Sequence, residues 1–72
     1  MKTNSLPFVV CLYIGLNPLS RLTLKDIENR FDIDRIKAWQ ALEGVVGNGM
    51  LSKEIENHVA IYSIGPTLKA LL

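Results

Sequence analysis

The side chains able to do covalent or metal chemistry are few and scattered. His58 is the only histidine and Cys11 the only cysteine. No second His or clustered Cys completes a metal site, and no Ser or Cys nucleophile stands beside a base. Cys11 lies in an apolar run with no base flanking it, which reads as a buried, reduced thiol, and a lone cysteine excludes an intramolecular disulfide. Asp32 and Asp34 flank a short turn and are accounted for by helix capping. Gly44, Gly47 and Gly49 lack the spacing of a phosphate-cradling loop. The expectation is a protein that acts by binding, with no catalytic residue, metal or cofactor.

Side chains suited to binding fall in three places: Thr23 and Lys25, then Arg35, Ile36, Lys37 and Gln40, then Lys53, Asn57 and His58. What they can do depends on the elements that carry them. Thr23-Leu24-Lys25-Asp26 has the form of a capping box, its hydroxyl placed to accept the N3 amide and a carboxylate one turn in. A short helix follows, with Leu24, Ile27 and Phe31 at helical spacing and Lys25, Glu28, Asn29 and Arg30 on the other side. Asp32-Ile33-Asp34 reads as a tight turn in which Asp34 caps the next helix and Ile33 staples it to the core. That helix is expected from Arg35 to near Asn48. At about 100° per residue, Ala38, Trp39, Ala41, Leu42, Val45 and Val46 share one arc, with Ile36, Lys37, Gln40, Glu43 and Gly44 opposite. Gly49 is suited to stop it.

Upstream, Ser5-Leu6-Pro7 resembles a helix start, and the helix should stop near Asn17, before Pro18. Phe8 to Ile14 and Leu16 are apolar almost all round, which requires cover on more than one side. A β-strand over Phe8 to Ile14 is the competing reading, because periodicity alone does not separate the two. Downstream, Met50 to Ile55 and Val59 to Ile64 are rich in β-formers and flank Glu56-Asn57-His58, where Asn tolerates the positive φ of a tight hairpin. Gly65-Pro66-Thr67 closes the hairpin, and Leu68, Leu71 and Leu72 give a last apolar turn or two of helix.

A chain of 72 residues with 49% hydrophobic and 21% charged residues suits one small domain that must bury most of its apolar surface. It is too short for a two-domain enzyme. The first helix has more apolar faces than so small a monomer can cover, so a homodimer through that helix is expected. A formal net charge of +1 gives no strong overall positive field, so any basic surface must be local. Lys2 ahead of the apolar stretch from Leu6 to Leu16 prompts comparison with a signal peptide. The stretch is too short to span a bilayer, contains Pro7, and runs into Asn17-Pro18-Leu19-Ser20 without a small-x-small cleavage site. A cytoplasmic protein without membrane contact is expected.

Helix, short helix, tight turn, longer helix and hairpin together form an order that resembles the winged helix-turn-helix superfamily of small prokaryotic and viral transcriptional regulators. The similarity covers nearly the whole chain: Phe8 to Leu16, the Thr23-Leu24-Lys25-Asp26-Ile27 start, Ile33, Ala38 with Ala41, Leu42 and Val45, and Gly49-Met50-Leu51. Tyr62-Ser63-Ile64-Gly65-Pro66 is similar to the Tyr-x-apolar-Thr-Pro stretch that leads many such regulators into a final helix, with Gly65 in place of the capping Thr. The resemblance implies an α+β, mainly helical domain over 1–72, with a three-helix core, a C-terminal two-stranded wing and a short last helix.

It also implies that the third helix enters the major groove of double-stranded DNA. Arg35, Ile36, Lys37 and Gln40 are then the candidates for base-edge and phosphate contact: Gln can bridge adenine N6 and N7, the cations can reach guanine or the backbone, and Ile36 can meet a thymine methyl. Thr23 and Lys25 would contact the backbone from the second helix's positive end, and Lys53, Asn57 and His58 from the wing. Glu54 and Glu56 would repel phosphate there. The alternative is a protein-protein module, an adaptor or antagonist with the same fold, favoured by the near-neutral charge, the acidic wing and an exposed Ile36.

Overall fold

The computed structural model describes residues 5–72; Lys2 lies outside the described residues. The first helix, α1 (Leu6–Leu16), has Pro7 in its opening turn, where a missing N–H costs nothing, and Ser5 precedes it without a side-chain cap bond. Asn17 ends it by donating its side-chain amide to the Tyr13 carbonyl at 3.0 Å. The helical alternative wins over the strand because Leu6, Val10, Cys11 and Ile14 make one buried stripe on a period that a strand cannot supply. A second row, Phe8, Leu12 and Leu16, is 72%, 52% and 74% exposed.

Leu22–Thr23 form a two-residue strand, β1, which leads directly into α2 (Leu24–Phe31). The capping box is complete: Thr23 Oγ1 accepts from the Asp26 amide at 3.1 Å, and Asp26 accepts from the Thr23 amide at 3.0 Å. Asp32 closes α2 in the left-handed region at φ 48°, which a short polar side chain tolerates. Asp34 then caps α3 (Arg35–Gly47), its carboxylate accepting from the amides of Ile36 and Lys37, while Ile33 is buried beside the cap. Along α3, Ala38 and Leu42 are buried and Ala41, Val45 and Val46 are packed against the core. Trp39 departs from the expected arc and is 44% exposed. It sits at the edge of the buried sector, a position a large ring cannot hide from solvent on so small a core.

Strands β2 (Leu51–Glu56) and β3 (Val59–Ile64) pair antiparallel from Leu51↔Ile64 to Glu56↔Val59. The loop is Asn57 and His58 alone, at φ 50° and 66°. Two positive φ angles define the turn that matches strand twist, and Glu56 belongs to β2. The expected two-stranded wing is β2 with β3, and the two-residue β1 adds a third strand to the sheet in the order β1-β3-β2, with Leu22↔Tyr62 and Thr23↔Ile61 in register. A final helix, α4 (Pro66–Leu71), buries Leu68.

The core gathers Leu6, Val10, Ile14, Ile27, Leu42, Leu51 and Tyr62 from helices and sheet alike. Its lower edge is a backbone junction. The Gly65 amide donates to Met50 O at 2.9 Å, the Thr67 amide to Gly49 O at 2.9 Å, and Thr67 Oγ1 to Asn48 O at 3.0 Å. Gly49 turns there at φ +82°. A Cβ on Gly65 would collide with the Gly49 carbonyl oxygen, so the departure from a capping Thr follows from the close approach of two backbones. The result is an α4 without a side-chain cap.

Candidate functional site

The starts of α2 and α3 open on the same side of the molecule as the inner face of the hairpin. Between them lies a hollow of about 440 Å³ lined by Thr23, Leu24, Lys25, Arg35, Ile55, His58, Val59 and Ala60. Thr23, Lys25, Arg35 and His58, drawn from three separate stretches of sequence, therefore meet around one concavity. Their positions follow from local rules. The two caps fix where α2 and α3 begin, and the two-residue turn fixes the register that puts Ile55 opposite Ala60.

Arg35, in the first turn of α3, donates from Nε to Glu28 Oε2 at 3.0 Å. Ile36, Lys37 and Gln40 are exposed on α3 outside the hollow, and Lys37 makes no ion pair among the described residues. Lys53 lies on β2 of the wing. Its ammonium turns inward to Glu43 Oε1 at 2.8 Å, and the side chain is 24% exposed. Arg35, Trp39 and Glu43 stand one turn apart in a single row, the row that addresses the hairpin at both ends. Asn57 is exposed at the wing tip beside His58.

The wing carboxylates Glu54 and Glu56 share one face of the sheet. Alternation puts Ser52, Glu54 and Glu56 on the sheet face opposite Leu51, Lys53 and Ile55. There Arg21 meets Glu54 at 3.6 Å and Glu56 at 3.2 Å. Arg21 thus offsets part of their negative charge. Arg21 was not singled out in the sequence, and neither was Glu28. Their partners are 35 and 7 residues away in the chain, and only the strand register and the turn bring them together.

Two buried groups are shifted by their surroundings. Burial pushes the Cys11 thiol above its ordinary pKa, which keeps it protonated and unreactive. Burial, with a smaller contribution from the Glu43 charge, likewise raises Tyr62, whose hydroxyl has no hydrogen-bond partner among the described residues. Across the molecule, a groove of about 270 Å³ between α1 and α4 is lined almost wholly by apolar side chains, including Phe8, Leu12, Leu16, Met50 and Leu72. Among the described residues no cluster of three metal-ligating side chains occurs, and no helix is long and apolar enough to cross a membrane.

With this geometry the chain has the winged helix-turn-helix fold, and solved structures of that shape superpose over nearly its whole length. Reduced HlyU from Vibrio cholerae N16961 matches with a TM-score of 0.70 at 14% identity, covering 99% of this chain and 70% of that one. A second structure of HlyU from the same organism matches at 0.68 and 18% identity, covering 99% and 89%. The adhesin competence repressor AdcR from Streptococcus pyogenes matches at 0.67 and 18% identity, with 99% of this chain spanning 51% of AdcR. No protein-family model matches the chain, and no curated protein matches it in sequence.

Proposed function

We propose that the chain is a cytoplasmic, sequence-specific double-stranded DNA-binding regulator of transcription that works by binding and not by catalysis. It lays α3 in the major groove. The observation that carries this reading is the meeting of Thr23, Lys25, Arg35 and His58 around one hollow beside the exposed face of α3. A groove-inserted helix needs cations and polar donors on its flanks to take the phosphates on either side, and these residues occupy those flanks. Lys37 and Gln40 then reach the groove floor or its rim, Ile36 offers an apolar contact to a thymine methyl, and Asn57 meets the adjoining backbone from the wing. Lys53 contributes only after leaving Glu43. The likeness to a protein named as a repressor points the same way.

A regulator of this kind reads two half-sites when it is two-fold symmetric. The exposed row of Phe8, Leu12 and Leu16, continuous with the apolar groove against α4, supports a homodimer through α1. A second reading, a protein-binding module of the same fold, is favoured by Ile36 and Trp39, which are 63% and 44% exposed on α3. Selection from a pool of random duplexes, followed by binding across a salt series, separates the two. The DNA reading expects an enriched sequence and an affinity that falls steeply with salt as counterions are released. An absence of enrichment, with salt-independent capture of a partner protein lost on changing Ile36 or Trp39, would establish the second reading instead.

A further inference from the structure

The pairing of Arg35 with Glu28 has a chemical consequence that the DNA reading alone does not contain. Contact is made through Nε only, at 3.0 Å, and the two terminal nitrogens of the guanidinium make no hydrogen bond to any described residue. Glu28 is the better-anchored partner, 25% exposed against 62% for Arg35. Arg35 itself follows directly on the Asp34 cap, so its backbone is fixed by the bonds that start α3. A guanidinium held at Nε cannot offer its Nε edge to a ligand. It can present only its far end, two parallel N–H groups side by side, and Arg35 lines the hollow together with Thr23, Lys25 and His58.

We propose, resting on the DNA reading above, that Glu28 is a positioning residue. It holds Arg35 so that the terminal nitrogens grip O6 and N7 of one guanine of the duplex. Ordering a long side chain before binding removes part of the entropic cost of the contact. The carboxylate also lowers the attraction of this region for phosphate in general, so Glu28 sharpens discrimination at the expense of non-specific affinity.

The test uses the full chain, the duplex that wild type selects from a random pool, and a scrambled duplex of the same composition. Glu28→Ala should weaken binding to the selected duplex about tenfold, the scale of one bidentate contact, and leave the scrambled duplex unchanged or tighter. Glu28→Gln retains an oxygen that accepts from Nε, so it should keep the selected-to-scrambled ratio within about twofold of wild type while binding both duplexes more tightly. Arg35→Lys, with a single ammonium, should lose the ratio as Glu28→Ala does. Single 7-deazaguanine substitutions remove N7, and one position should abolish the advantage of wild type over Glu28→Ala. A loss found only with single methylphosphonates, which remove a phosphate oxygen, overturns the guanine grip. A ratio untouched by Glu28→Ala, or an equal rise for both duplexes, overturns the positioning role and leaves the DNA reading standing. A wild-type chain that selects no duplex overturns both.

Discussion

Replacing Gly65 by alanine adds one methyl group where the structure has no room for it. The new Cβ would collide with Gly49 O and lie 2.7 Å from Met50 C and 2.8 Å from Gly49 C, all of them backbone atoms. At φ −91° alanine has no torsional objection, so the effect is steric. The Gly49–Met50 segment cannot step aside cheaply, because Thr67 holds Gly49 O and Asn48 O, and Asn48 Oδ1 accepts from the Met50 amide. Overpacking of this kind costs about 1–3 kcal/mol. Stretching or breaking one junction bond adds about 1 kcal/mol, and the stiffer unfolded chain returns about 0.5 kcal/mol. The net loss is about 2–3 kcal/mol from a domain whose whole stability is on the order of 4–11 kcal/mol by the per-residue rule. At about 4–8 °C per kcal/mol for a domain this size, Tm should fall by roughly 10–20 °C in a circular dichroism melt. Gly44→Ala is the matched control, because a Cβ there meets nothing within 4 Å and a helix-interior Gly→Ala change should stabilise by up to about 1 kcal/mol. A Gly65→Ala melt within about 3 °C of wild type would refute the reasoning that two backbones set this position.

Five further substitutions test the same geometry. Leu12→Glu puts a charge in the exposed row of α1, outside the core, so it should convert a dimer to a monomer in sedimentation at micromolar concentration while the far-UV circular dichroism spectrum stays native; a dimer that survives it uses another surface. Thr23→Ala removes the oxygen that receives the Asp26 amide and should cost about 1 kcal/mol by denaturant melting, whereas an unchanged midpoint would mean that the rest of the box suffices. Tyr62→Phe deletes a hydroxyl that has no partner among the described residues and should be neutral or stabilising at pH 7. Because the folded pKa of Tyr62 is raised, wild-type stability is full below the unfolded value of about 10 and falls as pH climbs through the folded value. The Phe variant should lose less between neutral and strongly alkaline pH, and a parallel loss in both proteins would count against the burial of that hydroxyl. Lys37→Ala should reduce duplex affinity broadly and flatten the salt slope by about one unit, and Gln40→Ala should cost about 1–3 kcal/mol and relax preference at one base pair; the reverse pattern would exchange the two roles.

The elements that could be read from the sequence are those governed by neighbours. Thr23 with Asp26, and Asp34 with the amides of Ile36 and Lys37, are contacts within one turn, so residue type and spacing determine them. The apolar period of α3 marked Ala38 and Leu42 as buried, but it could not place Trp39, whose size and position at the edge of the arc decide its exposure. β1 was hidden because two residues carry no alternation, and its pairing with β3 is a contact across 40 positions between Leu22 and Tyr62. The hollow was legible only in parts. Thr23, Lys25, Arg35 and His58 stood out one by one, yet their meeting depends on hairpin register. The inward turn of Lys53 and the pairing of Glu54 and Glu56 with Arg21 depend on it equally.

Thr23 belongs to two elements at once. Its backbone lies in the sheet opposite Ile61 and its side chain begins α2. The hairpin and α2 are therefore joined without an intervening loop: β3 pairs with β1, and β1 runs straight into the first turn of α2. Where α2 begins is set twice over, once by the capping box and once by the strand register.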